Sequence, residues 1–242
     1  MKNKLGQVTI FVIIAIVLVA LVAVYFLVFN KSASLPFEGS DEIHSFVQDC
    51  IEGIGEESIY SIGRSGGYFF SPLESTSSGI PYYYFEGKDL MPSIEEIEEE
   101  ISKDFNLKLS LCTNNFEDFG EFEIETNEIF SEVKIESEKV FIDVVYPIRI
   151  MKGEEEIILR GFGVSDFSVS FLEIYNSVQE IVGDFEISSE LCLSCLTEIA
   201  LKKDLKIDIE NPYDDTLIFV IKDENTFLGD YPFEFSFAVE NV

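Results

Sequence analysis

The sequence predicts an α+β fold in which one apolar N-terminal helix precedes a domain with an antiparallel sheet and about three amphipathic helices. Three observations predict it: a long uncharged apolar run near the N-terminus, later segments with apolar residues at helical spacing, and alternating apolar and polar residues from Glu121 onward. Of the 242 residues, 47% are hydrophobic and 26% are charged, which is ordinary for a chain with a packed core.

The first element is the apolar run from Val8 to Phe29, which contains no charged residue. Its length suits a helix that crosses about 30 Å of hydrocarbon, so a transmembrane helix in contact with the lipid bilayer is predicted. Lys2 and Lys4 precede the run and acidic residues dominate after it, which favours a cytoplasmic N-terminus and an extracytoplasmic C-terminal domain. The expected protein is thus a single-pass cell-membrane protein with a stub and span at 1–30, a short stalk at 31–39 and an exterior domain at 40–242.

The residues before the apolar run, Lys4-Leu-Gly6-Gln7, resemble the processing site of archaeal prepilins, the precursors of type IV pilin-like subunits. The resemblance implies cleavage between Gly6 and Gln7 and self-assembly into a filament. Two features depart from it, because Phe11 stands where that family often has an acidic residue, and Pro36 interrupts any helix that runs on from the span. An uncut signal anchor is therefore the first expectation, and a processed filament subunit is the alternative.

Three later segments have the apolar spacing of amphipathic helices. The first begins at Ser40, a suitable N-cap, and ends near Gly63. The second begins with Ser93 and Glu96, which together form a capping-box pattern, and the third runs from Phe171 to Val182. One division of the domain that fits this order is a helical part at 40–120 and a β-rich part at 121–242.

The strands are predicted from apolar residues that recur every second position. The run from Val140 to Tyr146 is apolar on both faces apart from Asp143, which is typical of a central strand. Pro147 interrupts its ladder, and the following Lys152-Gly153 predicts a hairpin turn. Further strands are expected at 207–209, 217–221 and 233–239.

The four cysteines, Cys50, Cys112, Cys192 and Cys195, are even in number and lie in the domain predicted to be outside, so disulfides are expected. Three pairings are possible, and Cys50 with Cys112 and Cys192 with Cys195 is favoured. Cys192-Leu-Ser-Cys195 also fits a thiol-disulfide redox motif, which is an alternative function, whereas a four-cysteine zinc site lacks its usual second pair. This cysteine pattern and the N-terminus together resemble a group of single-span archaeal surface proteins, which implies architecture and no activity.

Other motifs give no catalytic, cofactor-binding or metal site that we would assign. The excess of 46 acidic over 16 basic residues argues against nucleic-acid binding. Ser65 lies in a G-x-S-x-G pattern, but the one histidine, His44, precedes it, and a glycine-rich turn is the better interpretation. Weak calcium binding is the alternative interpretation of one acidic cluster: Asp204, Asp208, Glu210, Asp214 and Asp215.

The aromatic residues Tyr68, Tyr82 and Tyr84 are the candidates for a recognition surface, against the alternative of a buried strand. The sequence therefore predicts a non-enzymatic membrane-anchored surface protein whose acidic, disulfide-stabilised domain has an interaction or structural role. Other envelope or cell-surface proteins are the expected partners.

Overall fold

Two sheets and four helices make up the part of the chain that the computed structural model describes, residues 39–113, 116–188, 191–213 and 215–240. Residues Glu42–Val242 form one unit. The helices are α1 (Ser40–Arg64), α2 (Ile94–Cys112), α3 (Phe171–Ser188) and α4 (Leu193–Lys203), and a short 3-10 helix covers Phe116–Phe119. The strands are β1 (Tyr82–Phe85), β2 (Lys88–Asp89), β3 (Glu123–Thr126), β4 (Phe130–Ile135), β5 (Lys139–Lys152), β6 (Glu155–Ser168), β7 (Lys206–Tyr213), β8 (Thr216–Leu228) and β9 (Tyr231–Glu240).

The α+β class is confirmed, with four helices in the described residues where the sequence predicted about three beyond the apolar run. The five-stranded sheet has the order β2-β1-β9-β8-β7, and β1 lies parallel to β9 while the other neighbours are antiparallel. In the four-stranded sheet every pair is antiparallel and β5 is central. One edge of β5 binds β4 and then β3, and the other edge binds β6.

The described helices contradict the predicted membrane character. Within residues 39–240, leaving out the five positions that are not described, no helix is long and apolar enough to cross a membrane. The reason is visible in α2, whose exposed face carries acidic residues such as Glu95 and Glu99. The predictions of a transmembrane protein and of a single-pass membrane location are corrected accordingly. The run from Val8 to Phe29 and the Gly6–Gln7 site lie outside the described residues.

Local sequence signals explain the start of α2 and the course of β5. Ser93 caps α2 by accepting a hydrogen bond from the Glu96 N–H (3.2 Å), and the Glu96 carboxylate accepts the Ser93 N–H (2.7 Å). The ladder between β5 and β6 shifts register before Ile148, next to Pro147, because proline has no N–H to donate. Gly153 has φ +66° in the two-residue turn to β6, a backbone conformation that glycine adopts without strain.

Helix α1 packs closely on both sheets through two glycines. A Cβ atom on Gly55 would lie 2.1 Å from the Phe167 ring of β6, and one on Gly63 would lie 2.7 Å from the Phe233 ring of β9. Since real Cβ contacts are never this short, only glycine permits these approaches. Phe233 also contacts Phe171 of α3, with ring centroids 5.2 Å apart, so the helices share an aromatic core over the five-stranded sheet.

A buried carboxylate links α3 to the same sheet. Asp223 is 7% exposed, and it accepts hydrogen bonds from the hydroxyls of Ser170 and Thr226 and from the Asn225 N–H (2.8 Å). Burial alone would raise the pKa of Asp223, but these donors together outweigh burial and lower the pKa below its usual value. The charged form of Asp223 is therefore the form that the fold stabilises.

Candidate functional site

Helix α2 has two apolar stripes, and they meet different surroundings. The first faces the core and is fully buried: Ile97, Ile101, Phe105 and Leu109. The second consists of Leu107 and Leu111, one helical turn apart, which are 49% and 65% exposed. An exposed apolar pair on a helix in such an acidic chain is a candidate contact surface.

Leu107 and Leu111 line a groove of about 620 Å³, which we call the α2 groove. Its remaining lining comes from the end of α2, the 3-10 helix, β3, the β3–β4 connection and β5: Asn106, Ser110, Thr113, Phe116, Ile124, Thr126, Asn127, Glu128, Ile129 and Tyr146. Five of the twelve lining residues are apolar, six are polar and the last is Tyr146. The groove thus offers both apolar contact area and hydrogen-bonding groups to a bound molecule.

Three contacts hold the walls of the α2 groove in place. The Cys50–Cys112 disulfide ties the last residue of α2 to α1, and the two cysteines are 62 positions apart in sequence. Thr113 donates its hydroxyl proton to the Leu109 carbonyl oxygen (2.9 Å), so the Tyr146 hydroxyl is left to donate to Thr113 Oγ1 (2.9 Å). These links join the end of α2 to α1 and to β5, and they restrict the shape of the groove.

An aromatic cluster packs the 3-10 helix at the α2 groove against α1. Phe46 of α1 lies 5.8 Å from Phe116 and 5.6 Å from Phe119, measured between ring centroids, and it stands one turn before Cys50. Aromatic pairs at such distances add stability beyond the burial of their area. The 3-10 helix that carries Phe116 and Phe119 is therefore fixed against α1, next to the disulfide.

The second disulfide, Cys192–Cys195, lies at the first turn of α4. Cys192 is the N-cap, and its Sγ accepts a hydrogen bond from the Cys195 N–H (3.2 Å). Both disulfides that the sequence favoured, Cys50–Cys112 and Cys192–Cys195, are thus present. An adjacent cleft of about 510 Å³ between α3 and α4, which we call the cysteine cleft, is lined by Asp184, Cys195, Glu198 and others.

Asp184 is the residue at the cysteine cleft that sequence reasoning missed. One oxygen of Asp184 and the sulfur atoms of Cys192 and Cys195 all lie within 4.8 Å of one another. It is the one such group of three His, Cys, Asp or Glu side chains found among the described residues. Asp184 stands eight positions before Cys192 on a different helix, so no local motif could have identified it.

The aromatic candidates do not form an open surface. Tyr84 is 7% exposed, and the half-buried Tyr82 shares a hydrogen bond with Thr216 (2.8 Å) within the five-stranded sheet. Tyr68 is half-buried, and burial, followed by the carboxylates of Glu96 and Glu100, raises its pKa. These tyrosines therefore offer little area to a partner.

The G-x-S-x-G pattern is the C-terminal end of α1. Gly66 and Gly67 have φ angles of +60° and +79°, and the Gly67 N–H donates to the Ile62 carbonyl oxygen (2.8 Å), which closes the helix. Ser65 and His44 lie 21 positions apart along α1, which corresponds to about 30 Å. The geometry is that of a glycine-rich helix cap and brings no imidazole to the serine.

The acidic candidates for calcium have other contacts. Asp208 pairs with Lys206 (3.2 Å) and Lys222 (3.8 Å), and Asp204 caps α4 while its carboxylate accepts a hydrogen bond from Asn225 (3.1 Å). Asp214 lies outside the described residues. Asp208 and Asp204 therefore serve ion pairs and a helix cap.

Comparison with known proteins adds no assignment. No protein-family model, no curated protein and no solved structure matches this chain. The chemistry of the α2 groove and of the cysteine cleft is therefore the basis on which a function is proposed.

Proposed function

We propose that this chain is a non-enzymatic binding module that holds a segment of another protein, rich in apolar and basic side chains, in the α2 groove. The observation that carries the proposal is the second apolar stripe of α2, Leu107 and Leu111, exposed along the wall of a groove of about 620 Å³. A partner that covered these two leucines would remove them from water, which is the main source of affinity at such surfaces.

The rigidity of the groove supports this proposal. Cys112 at the end of α2 is covalently fixed to Cys50, and Thr113 is hydrogen-bonded to Tyr146 of β5. A site whose walls are already ordered loses less conformational entropy when a ligand binds. The long-range disulfide thus has a role beyond stability, because it keeps the groove in a binding-ready shape.

An unused acceptor at the groove wall points to the chemistry of the partner. Asn106 lines the groove, and its amide nitrogen donates to Ser102 (3.4 Å), but no donor in the described part of the chain reaches its buried Oδ1. An N–H group from a bound segment would satisfy this oxygen after a small side-chain adjustment. A polypeptide supplies such groups along its whole length.

The charge of the chain selects among possible segments. A formal net charge of −30 attracts basic partners over long distances and repels acidic ones, including other copies of the chain. We therefore expect the bound segment to combine one or two apolar side chains with lysine or arginine.

A phage-displayed peptide library panned against the purified protein tests the proposal. We expect enriched peptides with apolar residues flanked by lysine or arginine, and weaker binding of these peptides to Leu107→Ser/Leu111→Ser. Burying the exposed parts of both leucines is worth about 2–3 kcal/mol, so affinity should fall roughly 30- to 150-fold. The control is Leu201→Ser, which changes an exposed leucine of α4 and should bind as the wild type does.

Two results would contradict the proposal. One is a library that yields no peptide which binds the wild type. The other is a set of peptides that bind the double leucine variant as well as they bind the wild type. Circular dichroism of both variants checks that the fold is retained, which we expect because the substituted side chains are exposed.

A further inference from the structure

The Cys192–Cys195 disulfide is formed by two partly exposed residues. Both are half-buried, and Cys195 lines the cysteine cleft, whereas in the other disulfide Cys112 is also half-buried but Cys50 is only 6% exposed. The bond closes a ring of only a few residues at the start of α4. A small reductant can thus reach this disulfide without unfolding the domain.

The closed disulfide already lies beside a third group that can bind a metal ion. The sulfurs of Cys192 and Cys195 and one oxygen of Asp184 all lie within 4.8 Å of one another. Two donors on one tetrahedral zinc ion are roughly 3.5–3.8 Å apart, since Zn–S and Zn–O bonds are about 2.3 Å and 2.1 Å. Small side-chain rotations are therefore enough to place all three donors around a single ion.

The charge of the cysteine cleft favours a cation. Its lining carries four carboxylates, Glu180, Asp184, Glu186 and Glu198, against the one amine of Lys202. A carboxylate beside two sulfurs disfavours a further negative charge on either of them. A divalent cation reverses that effect, because it neutralises Asp184 and stabilises both thiolates. The N–H of Cys195, which already points at Cys192 Sγ, gives one thiolate an additional hydrogen bond.

Glu198 is placed to complete the site. It stands three positions after Cys195 on α4, on the same helical face, and it lines the cysteine cleft with Asp184. The ion pair between Lys203 and Glu180 (2.9 Å) holds α4 against α3, so the ligands on the two helices keep their distance. The site therefore has three close donors and a fourth carboxylate one helical turn away.

We propose that reduction of Cys192–Cys195 converts this structural disulfide into a zinc site formed by Asp184, Cys192 and Cys195, with Glu198 or water as the fourth ligand. A dithiol or phosphine reductant supplies the two electrons that break the S–S bond, and the sulfurs take up two protons. Zinc binding then releases these protons as two Zn–S bonds form. The inference goes beyond the binding module proposed above and uses none of the residues that line the α2 groove.

Cobalt(II) titration of the phosphine-reduced protein tests this inference, because cobalt reports tetrahedral sulfur ligation by its absorption. We expect sulfur-to-cobalt charge-transfer and tetrahedral ligand-field bands that saturate at an equimolar ratio and disappear when zinc is added. Asp184→Asn should lower the affinity for zinc at least about tenfold, since even the loss of a group that only hydrogen-bonds to a metal ligand has an effect of this size. Asp230→Asn, an exposed aspartate elsewhere in the fold, is the matched control and should bind as the wild type does.

Three outcomes would overturn the inference. The first is the absence of cobalt bands in the reduced wild type, and the second is unchanged affinity in Asp184→Asn. The third is retention of the bands in Cys195→Ser, which would place the metal on Cys50 and Cys112 instead. Rapid reduction of insulin disulfides by the metal-free reduced protein, together with absence of the bands, would instead support the redox alternative.

Discussion

The two disulfides provide a comparison in which the chemistry is the same and the length of the closed loop differs. Cys50 and Cys112 are 62 positions apart, whereas Cys192 and Cys195 are three positions apart. We compare two double variants, Cys50→Ala/Cys112→Ala and Cys192→Ala/Cys195→Ala. Each removes one cross-link and leaves the other in place.

The expected magnitudes follow from the entropy that each cross-link removes from the unfolded chain. On that account the long loop stabilises the fold by about 4 kcal/mol and the short loop by about 2 kcal/mol. Loss of the buried Cys50 sulfur adds to the first value, because the space it fills is in the core. The long-range variant should therefore lose at least twice as much stability as the short-range variant.

Urea denaturation followed by circular dichroism under non-reducing conditions measures the difference. With a urea dependence of about 2–3 kcal/mol per M, the midpoint should fall by roughly 1.5–2 M in the first variant and by less than 1 M in the second. Equal losses, or a larger loss in the Cys192/Cys195 variant, would refute the loop-length reasoning. They would indicate that local contacts at α4 outweigh chain entropy.

Two further predictions concern the core. Gly55→Ala should lower the free energy of unfolding by more than 2 kcal/mol, because its Cβ would overlap the Phe167 ring. Gly53→Ala on the same helix would meet nothing within 4 Å and should be neutral or stabilising. Thermal unfolding of both variants measures the difference. The lowered pKa of Asp223 stabilises the fold above its unfolded pKa of about 3.9, and this contribution disappears as pH falls through the folded pKa. Asp223→Asn should thus cost about 1–3 kcal/mol at pH 7 and less at low pH, measured by urea midpoints across pH, with Asp230→Asn showing no such trend.

Where the sequence signal was local, the prediction matched the structure. The capping box at Ser93, the central strand from Val140 and the turn at Gly153 all depend on neighbouring residues, so their spacing in the sequence is sufficient. Helix α4 was missed because Cys192 serves as its N-cap, a position usually held by Ser, Thr, Asp or Asn. The Cys192-Leu-Ser-Cys195 pattern was considered as a disulfide or a redox motif, and no helix was predicted to begin at it.

The candidate sites were missed for a different reason. Leu107 and Leu111 have the same spacing as the buried stripe of α2, and only the packed structure decides which of the two stripes meets the core. Asp184 on α3 lies close to Cys192 at the start of α4, which is a contact between two helices. The tyrosines of β1 were left open between a recognition surface and a buried strand. Tyr84 is buried and Tyr82 is half-buried in the strand that pairs with β9, a long-range pairing that the local sequence does not specify.

The unequal exposure of the two disulfides makes the two proposals separable. Both sulfurs of the Cys192–Cys195 bond belong to half-buried residues, whereas in the Cys50–Cys112 bond Cys112 is half-buried and Cys50 is only 6% exposed. A reductant is therefore expected to open the Cys192–Cys195 bond first. Thiol exchange requires direct access of the attacking sulfur, so partial reduction opens the cysteine cleft and leaves the α2 groove cross-linked. Peptide binding at the groove should therefore persist under conditions that load zinc at the cleft. On these proposals, Cys50–Cys112 fixes the shape of the α2 groove, and Cys192–Cys195 opens when a reductant is present.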